Sequence, residues 1–276
     1  MKKTCLGLLL LLLVQYVSAQ QYTVGSYNLR FDNPSDSGNL WVNRAPVVAA
    51  LIRFHEYDIL GTQEGLLNQL QDINKALPEY ERYGIGRDDG KDAGEHSAIF
   101  FKKDKFELLQ KGDFWLSETP EKPSRGWDSR CCNRICTWVK LKDKKSGKQF
   151  FFFNAHYEYE GQGRVESSKL ILQKIKTIAA GLPVLLSGDF NGSHETEWYQ
   201  LLANSVELKD SYKQVTTPYA VNASYNGFGR NQAGNDIIDH VFVSRQFKVT
   251  KWGILTDSYH GKYPSDHFPV LVRVSL

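Results

Sequence analysis

Six polar stretches of this sequence stand at or beside the ends of apolar runs, and their side chains are of the kinds that hold metals or move protons. One run, Pro183 to Leu186, is soon followed by Asp189 and Asn191. Side chains at i and i+2 of a strand point to the same side, so this carboxylate and amide could share a pocket. Asp, Asn and Gly also favour turns, and alone the stretch is more typical of a turn.

The other five stretches repeat this arrangement along the chain. They are Asn28 after the first apolar run, Glu64 after a short run, Asn154 and His156 in "FFFNAHYE", Asp239 in "DIIDHVFV", and Asp266 with His267 before the last run. A carboxylate inside an apolar strand is costly unless it is paired, so Asp239 needs a partner such as His267 or His240. Neighbours in a strand point to opposite faces, which favours His267.

Metal-assisted hydrolysis of a phosphoester requires side chains of these types. The oxygen ligands of Asn28, Glu64 and Asp266 suit Mg²⁺, with Mn²⁺ possible, better than zinc. Such an ion neutralises a phosphate oxygen and the leaving alkoxide. The first half of the predicted site is therefore a hard-cation centre.

The remaining polar residues supply the groups that handle protons and the phosphate. Asp189 can orient and deprotonate the attacking water, and Asn191 can hold a nonbridging oxygen. His267, oriented by Asp239, can contribute a positive charge or a proton.

In their order along the chain these stretches resemble the motifs of the endonuclease/exonuclease/phosphatase superfamily. The matching stretches are "SYNLR", "GTQE", "NAHYE", "SGDFN", "DIIDHVFVS" and "PSDHFPV". The resemblance implies an α/β fold, a four-layer αββα sandwich with two mixed β-sheets face to face and helices outside. It places the active site where the loops of the two sheets meet.

The resemblance also implies roles for individual residues. Glu64 looks like the principal metal ligand, with Asn28 and Asp266 nearby, and His156 looks like a second active-site histidine. The chain is most similar to secreted bacterial members near the nocturnin-like branch, although Tyr157-Glu158-Tyr159 departs from their "His-Leu-Asp-His" run.

Three further residues are candidates for substrate contact. Arg134 and Arg164 would contact a substrate phosphate, or else form surface salt bridges. Phe228, with Trp127 and Tyr225, would form an aromatic wall, or else pack in the core or a turn.

Hydrophobic periodicity predicts four helices among many strands. The helices are expected at 40–54, 66–77, 165–179 and near 195–203. Strands are expected at 21–30, 57–60, 183–186, 237–244, 247–255 and 269–274, with several more between residues 80 and 153. This mixed order independently indicates two facing sheets that carry helices.

The first residues predict export. Lys2-Lys3, the apolar stretch 6–14 and Val17-Ser18-Ala19 have the order of a secretory signal peptide, residues 1–19. Residues 20–276 then form one endonuclease/exonuclease/phosphatase domain. We expect a periplasmic or extracellular protein, without stable membrane insertion and monomeric.

Charge and cysteine content limit the partners. The formal net charge is +3 and becomes +1 without Lys2 and Lys3, so a broad basic surface for nucleic acid is absent. Cys131, Cys132 and Cys136 predict one local disulfide or buried thiols rather than a zinc site.

The sequence thus predicts an exported, Mg²⁺-dependent phosphoesterase acting on a phosphorylated substrate. Nucleic acid or nucleotide is the first candidate, because much of the superfamily cleaves it. A small phosphorylated molecule or a phospholipid head group is the alternative. A binding protein that keeps the fold without activity is an alternative of another class, but all eight metal and proton-transfer positions are intact.

Overall fold

A computed structural model describes residues 20–231 and 234–276, so the predicted signal peptide lies outside the described residues. Four α-helices occur there: α1 Trp41–Phe54, α2 Leu67–Ala76, α3 Gly163–Ala179 and α4 Glu197–Ala203. Each begins within two residues of its predicted start. None of the helices in the described ranges is long and apolar enough to cross a membrane.

Twelve strands in the described ranges form two six-stranded sheets. In chain order they are β1 Gln21–Asn28, β2 Ile59–Gln63, β3 Tyr80–Tyr83, β4 Ile99–Lys102, β5 Phe106–Trp115, β6 Ile135–Asp143, β7 Gln149–His156, β8 Val184–Asp189, β9 Lys209–Asp210, β10 Asp239–Val243, β11 Lys248–Ile254 and β12 Val270–Ser275. The first sheet has the order β11-β12-β1-β2-β4-β3, and the second has β5-β6-β7-β8-β10-β9. Both sheets are mixed, because β1 pairs with β2 and β7 with β8 in parallel and the other pairs are antiparallel.

Three hydrophobic layers hold the sandwich together. Val24, Val139 and Phe152 belong to the layer between the sheets. Helices α1 and α2 cover the outer face of the first sheet through residues such as Ile52. Helices α3 and α4 cover the second sheet through residues such as Ile171. The predicted four-layer αββα fold is therefore confirmed.

A buried polar layer also joins the two sheets. The Asn154 side chain of β7 donates to the carbonyl oxygens of Thr62 and Ala98, at 2.8 and 3.0 Å. Its amide oxygen accepts from the side chains of Gln63, at 2.7 Å, and Ser187, at 3.0 Å. Asn154, one of the polar strand residues in the sequence, is thus a structural link between sheets.

The strand order brings both ends of the described chain to the centre of the first sheet. Strand β1 lies between β2 and β12, so the first strand pairs with the last. Asn28, at the end of β1, therefore lies near the segment that precedes β12. That segment contains Asp266 and His267.

Candidate active site

The predicted site residues converge at one edge of the sandwich. The carboxyl ends of β1, β2, β7 and β8 meet there, as do the starts of the antiparallel strands β10 and β12. Asp239 at the start of β10 is the direct pairing partner of Asp189 at the end of β8.

A single amide joins two buried carboxylates at this edge. The Asn28 side-chain nitrogen donates to Glu64 Oε1 and to Asp189 Oδ2, both at 2.9 Å. Its oxygen accepts from the Arg30 backbone N–H at 2.9 Å. The Asn28 oxygen thus faces the Arg30 N–H and its nitrogen faces the two carboxylates, and the role of Asn28 as a metal ligand stays a prediction.

Two residues in the turns after β1 and β2 adopt left-handed backbone conformations, and these conformations orient the groups beside them. Glu64 has φ 62° and Arg30 has φ 55°, a region that costs energy for residues other than glycine. The second Glu64 oxygen accepts from the Phe31 N–H at 3.1 Å. The turn after β1 and the turn after β2 thus fix the Glu64 carboxylate.

The donor set fits a hard divalent cation. Burial raises the pKa of Asp266 to about 6, although the cationic His267 opposes the shift, and the negative charge of Glu64 adds to it. Arg30 Nε lies 3.8 Å from the Asp266 carboxylate and offsets part of this crowding. Crowded, buried carboxylate oxygens are the ligands that Mg²⁺ and Mn²⁺ prefer.

The predicted contact between His267 and Asp239 is present. His267 Nδ1 lies 2.8 Å from Asp239 Oδ2, and both side chains are buried. Burial lowers the pKa of His267, but the charges of Asp239 and Asp189 outweigh it, so the pKa lies well above its usual range. The other ring nitrogen is left facing the site.

Asp189 lies between two histidines. The Nε2 atoms of His156 and His267 are each 3.7 Å from Asp189 Oδ2. Burial and the negative charge of Asp239 raise the pKa of Asp189. Burial and the Arg134 cation lower the pKa of His156 to about 3, and neither His156 nitrogen has a hydrogen-bond partner among the described residues.

The Asp189–Asn191 segment is both a turn and part of the site. Asn191 has φ 50°, and its N–H donates to Asp189 Oδ1 at 3.0 Å. Its side chain donates to the Tyr157 carbonyl at 2.9 Å. Arg164 Nη1 donates to the Asn191 carbonyl at 2.7 Å. Arg164 therefore supports this turn, and its contact with a substrate phosphate stays a prediction.

Arg134 lies beside the site, buried next to His156. Arg134 Nη2 is 3.3 Å from Glu158 Oε1, and its guanidinium stacks on the Tyr159 ring at 5.2 Å. Its Nε and Nη1 have no hydrogen-bond partner in the described part of the chain. The ion pair that the sequence offered as the alternative for Arg134 is thus present, but it is buried and not on the surface.

A cavity of about 500 Å³ opens beside this cluster. Its lining residues are Asp128, Arg130, Cys131, Glu158, Tyr159, Glu160 and Gly161. Three of its four charged residues are acidic. Tyr159 is 59% exposed, and the Arg134 guanidinium lies over its ring.

Phe228 does not stand in an aromatic wall. It lies in a short 3₁₀ turn with φ 57°, and its ring is 5.5 Å from the buried Arg44 guanidinium. Arg44 in turn donates to the carbonyl oxygens of Leu29 and Pro264, at 2.7 and 3.0 Å. Phe228 therefore packs against the residue that ties the first site segment to the last. Tyr225 alone of the predicted aromatic trio lies against His267, with ring centroids 5.1 Å apart.

Sequence reasoning missed Arg87 and Glu95. Their side chains form two hydrogen bonds, of 2.6 and 2.8 Å, and Glu95 Oε2 lies 3.6 Å from His156 Nδ1. The sequence did contain a signal for them. Glu95 and His96 stand just before the apolar run that begins at Ala98, as Asp266 and His267 stand just before the last apolar run.

The cysteines form no metal site. Cys131 and Cys132 are joined as a disulfide, and Cys136 is a buried free thiol. The expectation of one local disulfide agrees with this arrangement.

This chain has two facing mixed sheets, with carboxylates and histidines at one edge. That combination of fold and site is typical of the divalent-metal-dependent phosphoric ester hydrolases of the αββα type. This chain belongs to the endonuclease/exonuclease/phosphatase family, whose sequence model matches residues 25–267.

Solved structures of similar chains extend over nearly the whole length. An endonuclease/exonuclease/phosphatase family protein from Bacteroides thetaiotaomicron is 46% identical, with a TM-score of 0.91; the match covers 94% of this chain and 99% of that one. A mannosyl-6-phosphatase from the same organism is 47% identical, with a TM-score of 0.90; the match covers 92% and 100%.

More distant relatives include longer proteins. Nocturnin from Mus musculus is 26% identical over 196 residues, which are 65% of this chain and 44% of nocturnin. The chain thus spans less than half the length of that relative.

Proposed function

We propose that this chain hydrolyses a phosphoester of a small phosphorylated molecule, with a phosphorylated sugar such as a mannosyl 6-phosphate as the first candidate. The observation that carries the hydrolysis is the position of two imidazoles, of His156 and His267, each 3.7 Å from the same Asp189 oxygen. A phosphate held between them would present its phosphorus to a water on Asp189.

The roles of the side chains follow from their partners. Glu64 and Asp266 would hold Mg²⁺ or Mn²⁺, which when bound would neutralise the phosphate and the leaving oxygen. Asp189, with its raised pKa, takes a proton from the attacking water. His267, kept cationic by Asp239, holds a phosphate oxygen or returns a proton to the leaving group. His156 is neutral and donates one N–H to a nonbridging oxygen.

Three observations support a sugar over a polynucleotide. The cavity beside Arg134 carries the charges of Asp128, Glu158 and Glu160, which repel a phosphate backbone but accept hydrogen bonds from hydroxyl groups. The 47% identical Bacteroides thetaiotaomicron chain is a mannosyl-6-phosphatase. The exposed Tyr159 ring can stack on the apolar face of a sugar.

Nucleic acid remains the rival substrate that the sequence alone favoured. Its support is that an exoribonuclease subunit, Ccr4 of Saccharomyces cerevisiae, is 24% identical over 228 residues. The low net charge and the acidic cavity weigh against it.

Location and assembly complete the proposal. We infer that residues 1–19 direct export and are removed after Ala19, so that the enzyme acts as a monomer in the periplasm or outside the cell. The basis is the order of basic, apolar and small residues in that segment. N-terminal sequencing of the exported protein tests the cleavage site.

The substrate test compares initial rates with Mg²⁺ on sugar 6-phosphates, mannosyl 6-phosphate glycans, inositol phosphates, sphingomyelin, an aryl phosphodiester, RNA, and single- and double-stranded DNA. We expect the highest kcat/KM on a sugar phosphate. Tyr159→Ala should raise KM for that sugar about tenfold and leave the rate on a small aryl phosphate nearly unchanged. Tyr219→Ala, which removes another exposed tyrosine, is the matched control. Faster hydrolysis of RNA or DNA than of every sugar phosphate would reject the proposal.

A further inference from the structure

A second group of metal-type side chains lies outside the phosphate site. His194 follows β8, Asp210 ends β9 and His240 lies in β10. One possible ligand atom from each of these three side chains lies within 4.8 Å of the other two. Asp210 and His240 are buried, and 19% of the His194 side chain is exposed.

We propose that these three side chains bind a borderline transition metal such as Zn²⁺, separate from the hard cation of the phosphate site. Two imidazoles and one carboxylate are a ligand set that Zn²⁺ accepts, and Mg²⁺ seldom takes imidazole. A water at the fourth position would complete the site. His194 and Asp210 line a cavity of about 310 Å³ from which that water would enter.

The tautomer of His240 is the first argument. Its Nε2 lies 3.2 Å from the Gly192 carbonyl oxygen, which can only accept, so Nε2 carries the proton and Nδ1 carries a lone pair. That lone pair faces Asp210 Oδ2 at 3.9 Å and has no hydrogen-bond partner among the described residues. Two buried acceptors facing each other are unfavourable, and a cation between them removes the conflict.

The second argument is the spacing around Asp210. His194 Nε2 lies 3.3 Å from Asp210 Oδ2, yet it is not aligned as a hydrogen bond to any described residue. Ligands about 2.0 Å from a tetrahedral zinc are separated by roughly 3.3 Å. The Tyr199 hydroxyl donates to Oδ2 at 2.8 Å and the Tyr212 N–H to Oδ1 at 3.0 Å, so the carboxylate is held in place.

A metal here would stiffen the turn that carries Asn191. Gly192, whose carbonyl accepts from His240, directly follows Asn191, and His194 lies two residues further along. The ion would therefore bind the loop after β8 to the edge of the second sheet. It would act as a positioning element for the phosphate site and would not touch the substrate.

The test uses chelator-treated protein with Glu64→Gln, which disables the other centre, in excess Mg²⁺. After addition of Zn²⁺ and dialysis, we expect elemental analysis to find one zinc per chain, and we expect the Tm to rise. When Co²⁺ replaces zinc, we expect the visible absorption that is typical of a four-coordinate ion. Adding His194→Gln should lower zinc affinity at least about 100-fold, because a direct ligand matters more than the outer partners that typically contribute 10–100-fold.

His55→Gln serves as the matched control, since it removes a histidine paired with a surface aspartate, Asp257, at 3.1 Å. It should retain the full equivalent of zinc. The proposal is overturned if Glu64→Gln protein binds less than a tenth of an equivalent. It is equally overturned if the His194→Gln chain, shown to be folded by its circular dichroism, binds zinc as tightly as its parent.

Discussion

Asp239 determines the form in which His267 acts. The 2.8 Å contact places the Asp239 carboxylate on Nδ1, so Nε2 faces the substrate with its proton. We predict that Asp239→Asn lowers kcat by on the order of 10² or more while KM changes little, because the amide favours the wrong tautomer and lacks the charge. Steady-state kinetics on the best substrate give both parameters.

The control for that variant is Asp257→Asn, which alters an exposed histidine–aspartate pair with His55. It should keep full activity. An Asp239→Asn enzyme that folds normally and turns over at the parental rate would show that His267 works without its partner.

Glu64 is the residue on which the metal assignment depends. Glu64→Gln keeps the size of the side chain but loses the charge and one acceptor oxygen, so it no longer accepts from both the Phe31 N–H and the Asn28 amide. We predict that activity falls at least about 100-fold at limiting Mg²⁺ and recovers in part at high Mg²⁺, while the Tm stays within a few degrees. Mg²⁺ titration of the rate measures this shift.

Glu79→Gln provides the comparison, because Glu79 pairs with Arg53 on the surface, at 3.6 Å. Its Mg²⁺ dependence should match that of the parent. Identical Mg²⁺ curves for Glu64→Gln and the parent would refute the assignment of Glu64 as a ligand.

At the scale of the elements, Asn154 connects strands that belong to different sheets. We predict that Asn154→Ala lowers the free energy of unfolding by about 3 kcal/mol or more, since it removes the buried hydrogen bonds to the carbonyl oxygens of Thr62 and Ala98 and the one from the Gln63 amide. Urea unfolding followed by tryptophan fluorescence measures the loss.

Ser187→Ala is the milder comparison in the same layer, because it removes one 3.0 Å hydrogen bond to Asn154. We expect it to cost about 1 kcal/mol. If Asn154→Ala costs no more than Ser187→Ala, the two sheets are held by their apolar layer alone.

Sequence periodicity predicted elements well where one face is apolar. Helix α3 begins two residues before its expected start, and β12 lies one residue from its expected position, because burial of one face sets both patterns. The family resemblance of the ordered polar stretches placed the site where the loops of the two sheets meet, and Glu64 of the first sheet lies there with His156 and Asp189 of the second.

The features that the sequence did not predict depend on contacts between segments that are far apart in the chain. Arg44 was read only as part of a helix, yet it is buried and donates to the carbonyl oxygens of Leu29 and Pro264. The direction of the Asn28 amide depends on the left-handed turn at Arg30, which periodicity does not encode. The meeting of His194 with His240 likewise requires the loop after β8 to fold back.

At the scale of the whole molecule, the balance of charge limits contact with polymers. With the inferred signal peptide removed, the formal net charge is +1. We predict that log Kd for single-stranded DNA changes with log salt concentration by a slope no steeper than about 2, because few phosphates would be neutralised. Fluorescence anisotropy between about 50 and 200 mM salt measures the slope. A slope of about 5 or more would return nucleic acid to first place among the substrates.

The pairing of β1 with β12 has a consequence for protein synthesis. A nascent chain that has reached residue 260 already contains Asn28, Glu64 and Asp189, but β1 has no strand on one side and Asp266 and His267 do not yet exist. The segment that contains Asp266, His267 and β12 must therefore leave the ribosome before the site can close around an ion. The two facing halves of the site, Asn28 with Glu64 and Asp266 with His267, thus come together only late in synthesis, after the strands of the second sheet have been made.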